Sequence, residues 1–308
     1  MNVIKYSLSK VYFILYSLVF FFYKSNIKKK HSLNQKIISI GNLTVGGSGK
    51  TPFVVFLSKI LTKLNCKHAV VSRGYGRTNS TTFLVDKNNK KNYNVACAGD
   101  EPFMLTSMLP DVPVLVGDKV KAIRLGSQKH KINTFVLDDG FQTFKLRKNV
   151  NIVLVDLSLT INDYKLLPLG LLREPVKAIR RADVVVFTKE NLNADIQQGQ
   201  KIRRLFSKHI NKTKQLCLHA DFNFNLVLQS KNKTKFITVD GKNLVNENIL
   251  AFSGIANNKS FISSLPLFFS NVLKVLSFKD HYQYKPSDIK TIKQHLTNFN
   301  ITSIVTTR

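Results

Sequence analysis

The sequence predicts an α/β fold, a parallel-sheet core with helices on both faces and a second, smaller α/β domain, and three observations carry the prediction. Short apolar runs recur along the 308 residues at His68 to Val71, Val112 to Val116, Thr134 to Leu137, Asn151 to Val155 and Asp183 to Phe187. Polar or charged residues follow each run, where the carboxyl ends of parallel strands place functional loops. Helix-like stretches alternate with the runs, and that alternation gives parallel sheets rather than meanders.

The first element is apolar. From Val11 to Tyr23 the run VYFILYSLVFFFY is uncharged, bracketed by Lys5 and Lys10 on one side and by Lys24, Lys28, Lys29 and Lys30 on the other. A helix of that length spans about 20 Å, short of the roughly 30 Å hydrocarbon core of a bilayer. The favoured reading is an uncleaved helix lying in the inner face of a membrane, with the lysines at the headgroups. A true span, a signal peptide and a buried core helix are the alternatives; no small-x-small cleavage site follows the run.

Ile38, Ile40 and their neighbours form a strand-like run that ends at Gly41, and Gly41-Asn42-Leu43-Thr44-Val45-Gly46-Gly47-Ser48-Gly49-Lys50-Thr51-Pro52 leads into Val54, Val55, Leu57, Ile60, Leu61 and Leu64 at near-helical spacing. This is the signature of a P-loop NTPase-like core. Glycines let backbone N–H groups turn inward at a helix start, where the dipole favours anions. Lys50 can reach the outer phosphates of ATP, and the Thr51 hydroxyl can ligate Mg2+. The usual pattern has Gly where this chain has Thr44, yet a chance glycine-rich turn would seldom carry Gly-Lys-Thr between a strand and a helix.

Further along, the Lys/Asn/Gln-rich stretch from Asn191 to Lys214 lowers the apolar density, and Thr234 to Val245 reads as a β-ribbon around Asp240-Gly241. A new unit begins at Ile249-Leu250-Ala251-Phe252 and closes with the strand-like Ile301 to Val305. The expected organisation is a membrane-associated helix over 1–34, a P-loop core domain over 35–208, a ribbon linker over 209–248 and a smaller α/β domain over 249–308.

The formal net charge is +29, which by itself would raise nucleic acid as a partner. Lys, Asn, Ile and Phe are abundant together along the whole chain and Trp is absent, the mark of compositional drift rather than of one basic patch, so no nucleic-acid partner is expected. A positive surface would still suit an anionic membrane or a phosphorylated substrate. Cys66, Cys97 and Cys217 are odd in number and widely spaced, which suggests a reducing compartment and no disulfide framework.

Several polar clusters fall at the strand ends. Leu137-Asp138-Asp139-Gly140-Phe141-Gln142 follows an apolar run, as an acidic motif should if a carboxylate is to hold magnesium directly or through water. Ala98-Gly99-Asp100-Glu101-Pro102 offers a carboxylate pair, and Ser72-Arg73-Gly74-Tyr75-Gly76-Arg77 places two guanidinium groups where they could meet phosphate oxygens. Leu172-Arg173-Glu174-Pro175 adds an Arg–Glu pair, and Phe278-Lys279-Asp280-His281-Tyr282 puts a histidine in the second unit. Singly each has a plain reading: Asp-Asp-Gly is often a turn, Glu-Pro a helix start, and a lone His a structural residue.

Jointly they carry more. The set Gly-Asn-Leu-Thr-Val-Gly-Gly-Ser-Gly-Lys-Thr-Pro, Ser-Arg-Gly-Tyr-Gly-Arg, Gly-Asp-Glu-Pro, Leu-Asp-Asp-Gly-Phe-Gln, Leu-Arg-Glu-Pro, Phe-Ser-Gly-Ile-Ala and Phe-x-Asp-His, in this order, resembles the tetraacyldisaccharide 4'-kinase family of lipid A biosynthesis, over nearly the whole chain. The resemblance implies transfer of the ATP γ-phosphate to the 4'-hydroxyl of an acylated glucosamine disaccharide 1-phosphate by a monomer at the cytoplasmic face of the inner membrane. It implies a nucleotide loop made of Asn42, Thr44, Val45, Gly46, Gly47, Ser48, Gly49, Lys50 and Thr51. Asp100 matches the catalytic base and His281 the histidine paired with it. Glu101, Asp138 and Asp139 then fit metal or water positioning beside Thr51, and Arg173 fits phosphate stabilisation.

Two departures stand out. Thr143 occupies a position where the family usually has His, and the chain ends at Val305-Thr306-Thr307-Arg308 where the family reads on into a closing helix, so the smaller domain is expected to be truncated. The rival readings are a phosphate-loop nucleic-acid protein, on charge alone, and a catalytically impaired or non-catalytic membrane-bound nucleotide-binding relative.

Overall fold

The computed structural model describes residues 2–78, 80–86, 88–89, 92–192, 195–222, 226–229, 236–239, 246–255, 258–279 and 282–307. The chain divides into two units, Met1–Glu190 with Asp195–Ala220, and Asn191–Ala194 with Asp221–Arg308.

The first unit carries, in order, α1 (Asn2–Lys24), β1 (Lys36–Asn42), α2 (Lys50–Lys63), β2 (His68–Ser72), β3 (Phe83–Val85), α3 (Val95–Ala98), α4 (Asp100–Met108), β4 (Val114–Val116), α5 (Lys119–His130), β5 (Thr134–Leu137), β6 (Val150–Asp156), β7 (Val184–Thr188), α6 (Ile196–Ser207) and β8 (Leu216–Ala220). Its eight strands lie in the order β3-β4-β2-β5-β1-β6-β7-β8. Seven run parallel, and β3 pairs antiparallel with β4 at one edge. Side chains alternate between two apolar layers, with Ile40, Val70 and Val136 packing against Val54 of α2 and Leu105 of α4. Ile37, Val71 and Phe135 pack against Val120 and Ile123 of α5. Both faces of the central strands are therefore covered, and β2 and β5 are buried throughout, as parallel strands require.

The expected runs are strands, with four additions. β8 lies at an edge of the sheet where burial on both faces is not required, and its Leu216 and Leu218 stay exposed; β3, at the other edge, is buried throughout but only three residues long, too short to stand out as a run. β8 also falls inside 209–248, the stretch expected to be ribbon linker, yet it extends the large sheet by pairing with β7.

The second unit holds β9 (Leu226–Gln229), β10 (Phe236–Val239), β11 (Asn248–Ser253), α7 (Asn258–Ser264), β12 (Asn271–Ser277), α8 (Pro286–Asn298) and β13 (Ser303–Thr306). β9 and β10 form an antiparallel pair. The ribbon's connection thus falls between 229 and 236, and Asp240-Gly241, expected at its turn, follows β10 and lies outside the described residues. The strands β12-β11-β13 make a parallel three-stranded sheet with Ile249, Ala251, Leu265 and Phe269 at its core. β9 lies before the expected ribbon stretch, and β12 is the fourth strand that the apolar pattern missed, since Lys274 interrupts it.

α1 is longer than the uncharged run suggested. Its 23 residues span about 34 Å at 1.5 Å per residue, so by length and composition alone it could cross a bilayer. Lys5 and Lys10 lie within the helix rather than before it, because a lysine stem packs along apolar surface while its ammonium stays in water; Lys10 Nζ sits 4.7 Å over the Tyr6 ring.

Candidate active site

The carboxyl ends of β1, β5, β2, β6 and β7 gather the charged loops on one end of the large sheet. The loop after β1 turns through Gly46 at φ 97° and Gly49 at φ 83°, left-handed conformations that cost glycine least. Gly49 also caps α2 without a side-chain hydrogen bond, which leaves the first-turn N–H groups of a helix with no local side chain to bond.

Lys50 stands in the first turn of α2. Its Nζ donates to Asn42 Oδ1 at 3.1 Å and lies 3.9 Å from Asp139 Oδ1. Arg173 clamps the same carboxylate with both arms, Nη1 to Oδ2 at 2.9 Å and Nη2 to Oδ1 at 2.8 Å, and Nη2 also reaches Asn42 Oδ1 at 2.7 Å. Asn42, Lys50, Asp139 and Arg173, separated widely in sequence, are one hydrogen-bonded set. Burial alone would raise the Asp139 pKa, but the Arg173 hydrogen bonds and the charges of Lys50, Arg173 and Lys119 hold it well below the ordinary carboxylate range.

The Asp138–Phe141 turn is set against β1 by close backbone approach: a Cβ on Gly41 would meet Phe141 Cβ at 2.6 Å. Two lysines tie the turn down. Lys119 Nζ donates to Asp139 O, and Lys148 Nζ donates to Gly140 O and Phe141 O at 2.9 Å each. Burial lowers the pKa of Lys119 to about 8 and, with repulsion from Arg181 and Lys119, that of Lys148 to about 7. Neither lysine was evident from sequence, where both look like ordinary members of a basic population.

Asp138, beside Asp139, has the opposite character. It is buried, and burial raises its pKa. Its Oδ1 has no hydrogen-bond partner, and neither does Ser48 Oγ of the loop. Such orphaned buried oxygens carry a real cost unless a ligand meets them. Among the described residues no three His, Cys, Asp or Glu side chains converge on one point. That donor set does not suit a metal caged by protein, but it does suit a hard cation held by one or two protein oxygens together with phosphate and water, as magnesium usually is.

Asp100 and Glu101 begin α4, with Asp100 exposed and Glu101 half-buried. The Asp100 carboxylate accepts from Glu101 N at 2.9 Å. Gly99, at φ 89°, packs so tightly on the loop after β2 that an added Cβ would lie 3.1 Å from Gly74 Cα. Of the two arginines in that loop, Arg73 is exposed, whereas Arg77 donates to Thr81 O at 2.7 Å and Ser80 O at 3.2 Å, so its guanidinium serves its own loop. Arg173 and Glu174, read as a pair, part company: Arg173 takes Asp139, and Glu174 takes Arg181 at 2.7 Å. His281 lies outside the described residues.

A sequence profile described as Tetraacyldisaccharide-1-P 4'-kinase matches residues 1–308. The chain belongs to this family. Among its relatives, the tetraacyldisaccharide 4'-kinase of Halothermothrix orenii is 31% identical over 97% of this chain and 79% of its own length. That of Desulfatibacillum aliphaticivorans is 30% identical over 97% and 80%. The crystal structure of LpxK from Aquifex aeolicus in complex with ATP superposes with a TM-score of 0.68 at 31% identity, covering 91% of this chain and 83% of that one. In this kinase family setting, the glycine loop, the Asp138–Asp139 turn and Arg173 are the parts of the chain that converge.

One buried pair was not anticipated. Asp156, at the end of β6, binds Lys189, just after β7, at 2.6 Å, and Lys189 Nζ also donates to Gly47 O of the phosphate loop at 2.6 Å. The available signal was an acid directly after the apolar run Ile152 to Val155 and a lysine one residue beyond the apolar run Val184 to Phe187.

Proposed function

We propose that this chain transfers the γ-phosphate of ATP to the 4'-hydroxyl of an acylated glucosamine disaccharide 1-phosphate, as an ATP- and magnesium-dependent lipid kinase of lipid A synthesis. Family membership over the whole chain and the convergence of Lys50, Asn42, Asp139 and Arg173 at the glycine loop support this reading. The convergence carries it, because phosphoryl transfer needs cations placed around the transferring group more than it needs covalent chemistry.

In this reading the backbone of Asn42 to Thr51 cradles the phosphates, and Lys50 neutralises charge that develops on the γ-phosphoryl oxygens. Arg173 is held in place by Asp139 and can turn a guanidinium edge to the same oxygens. The 4'-hydroxyl oxygen forms the new bond to phosphorus, ADP leaves, and the hydroxyl proton passes to the Asp100 carboxylate. Thr51 and Asp138 are the residues that would hold magnesium, with Glu101 and Asp139 orienting its water. Magnesium would supply charge neutralisation across the β- and γ-phosphates.

The exposed apolar side of α1, which includes Val3, Ile4, Leu8, Val11, Ile14 and Leu15, supports a helix lying in the cytoplasmic face of the inner membrane, where the acylated acceptor resides. Its other side is hydrogen-bonded to the rest of the first unit through Ser9, Tyr12 and Tyr16, which favours this monotopic placement over a span. The chain acts as a monomer in this reading.

The direct test is transfer of radiolabel from ATP to an acylated disaccharide 1-phosphate in detergent micelles. Labelled product that survives 1-phosphatase treatment is expected. Nucleotide binding without transfer would overturn the kinase reading and leave a nucleotide-binding relative.

A further inference from the structure

We propose that α1 is a working part of the nucleotide site as well as an anchor, and that Glu174 is the positioning residue that links the two. The inference rests on the kinase reading above. Residues 171–174 lie between the helix and the phosphate loop. On one side they run antiparallel to the chain leaving β1: Val45 N donates to Leu171 O at 2.8 Å, Arg173 N donates to Leu43 O at 2.7 Å, and Thr44 bridges Leu172. On the other side α1 holds them: Tyr12 OH donates to Arg173 O at 2.8 Å and Tyr16 OH to Glu174 Oε2 at 2.7 Å.

Glu174 is the joint. It is 1% exposed, and both its oxygens are in use. Oε1 accepts from Gln142 Nε2 at 2.8 Å, and the same Nε2 donates to Asn42 O, at the head of the loop, at 2.9 Å. Oε2 takes Tyr16 together with Arg181 at 2.7 Å, whose guanidinium lies 4.3 Å over the Phe141 ring and 5.2 Å over Phe20 of α1. A carboxylate this deeply buried tolerates the loss of a partner badly, since the full desolvation cost remains.

An anchor alone needs only apolar residues. α1 instead places two hydroxyls at i and i+4, on one face, against the segment that also presents Arg173 to Asp139. Unseating that face therefore shifts the guanidinium and the head of the loop, and phosphoryl transfer loses rate steeply with misplacement of about 1 Å.

The variant Tyr12→Phe/Tyr16→Phe removes both hydroxyls from the full chain and keeps its apolar surface. Transfer in micelles and affinity for a fluorescent ATP analogue without acceptor are measured together, with sedimentation on anionic phospholipid vesicles and melting temperature alongside. The expected result is kcat lower by about tenfold or more and weaker analogue binding, with unchanged vesicle sedimentation and KM for the acceptor within about twofold. Leu15→Ser/Leu18→Ser, on the exposed side, should do the reverse, weakening vesicle binding and leaving kcat in micelles unchanged. Values of kcat and analogue affinity in Tyr12→Phe/Tyr16→Phe within twofold of the parent, or losses that merely track a lowered folded fraction, would overturn the link. A parent chain that binds the analogue but transfers nothing fails the kinase reading instead, and the analogue affinities still decide this one.

Discussion

Two ionic clusters flank the phosphate loop, and they differ in what their charges are free to do. At the turn after β5, Asp139 and its neighbour Lys50 of α2 keep 42% and 15% of their side chains exposed, and Asp138 has an oxygen without a partner. After β6 and β7, Asp156 and Lys189 keep only 2% and 7%, and the lysine also donates to the loop backbone. The open cluster has capacity left for a ligand, while the closed one spends its charge on holding the loop's shape. The same residue types, a lysine and an aspartate, thus take opposite roles according to access to water.

The largest effect should come from the open cluster. Lys50→Ala is expected to lower kcat by about 10³-fold or more, since several kcal/mol of charge stabilisation go with it, with little change in melting temperature; near-parental turnover in single-turnover assays would remove the distinction. Asp138→Asn should cost about 10²-fold, and Thr51→Ala should be partly rescued by raised magnesium because the lost group is a metal ligand. A magnesium titration that leaves Thr51→Ala unmoved would count against that role.

The closed cluster should respond in stability. Lys189→Met strands a buried carboxylate, at about 3–5 kcal/mol, read as a lower denaturation midpoint. Lys189→Met/Asp156→Leu should recover much of that loss, because no charge is then left buried. If the single and double variants are equally unstable, the pair is not the cause.

The smallest effect is a pH dependence. Asp139 is held below its ordinary value of 3.8, so the folded chain takes up this proton less readily than the unfolded one. Its contribution is complete above the unfolded value and fades as pH falls below it. The melting-temperature gap between the parent and Asp139→Asn should therefore be widest near pH 6 and shrink toward pH 3. A constant gap would mean that Arg173 stabilises through packing rather than charge.

Much of this architecture was legible in sequence, for identifiable reasons. A strand buried on both faces must be continuously apolar, so β2, β5, β6 and β7 declared themselves; the edge strand β8 faces no such demand, and β3, though buried, is only three residues long, so both stayed hidden. Gly-Lys-Thr between a strand and a helix located the loop, and Asp138-Asp139 followed from their place after an apolar run. What the pattern could not convey was partnership across the sheet. Arg173 and Glu174 looked like a pair because they are adjacent, but their partners, Asp139 and Arg181, are fixed by the antiparallel track of 171–174 along 43–45. The length of α1 was hidden for a similar reason: Lys5 and Lys10 look like charged flanks of the apolar run, yet both lie within the helix and reach water along their stems.

The strand order has a consequence for how the chain is made. β1 lies between β5 and β6, so Ile38 finds its neighbours at Val136 and Val150, and β2 does not lie beside it. As the polypeptide leaves the ribosome, the glycine loop emerges early yet has no sheet to rest on until β5 and β6 have followed. Closing such distant pairs carries an entropic cost before any contact rewards it. The nascent chain therefore presents α1 well before it can complete a nucleotide site, an interval in which the unfinished sheet has its most hydrophobic strands uncovered.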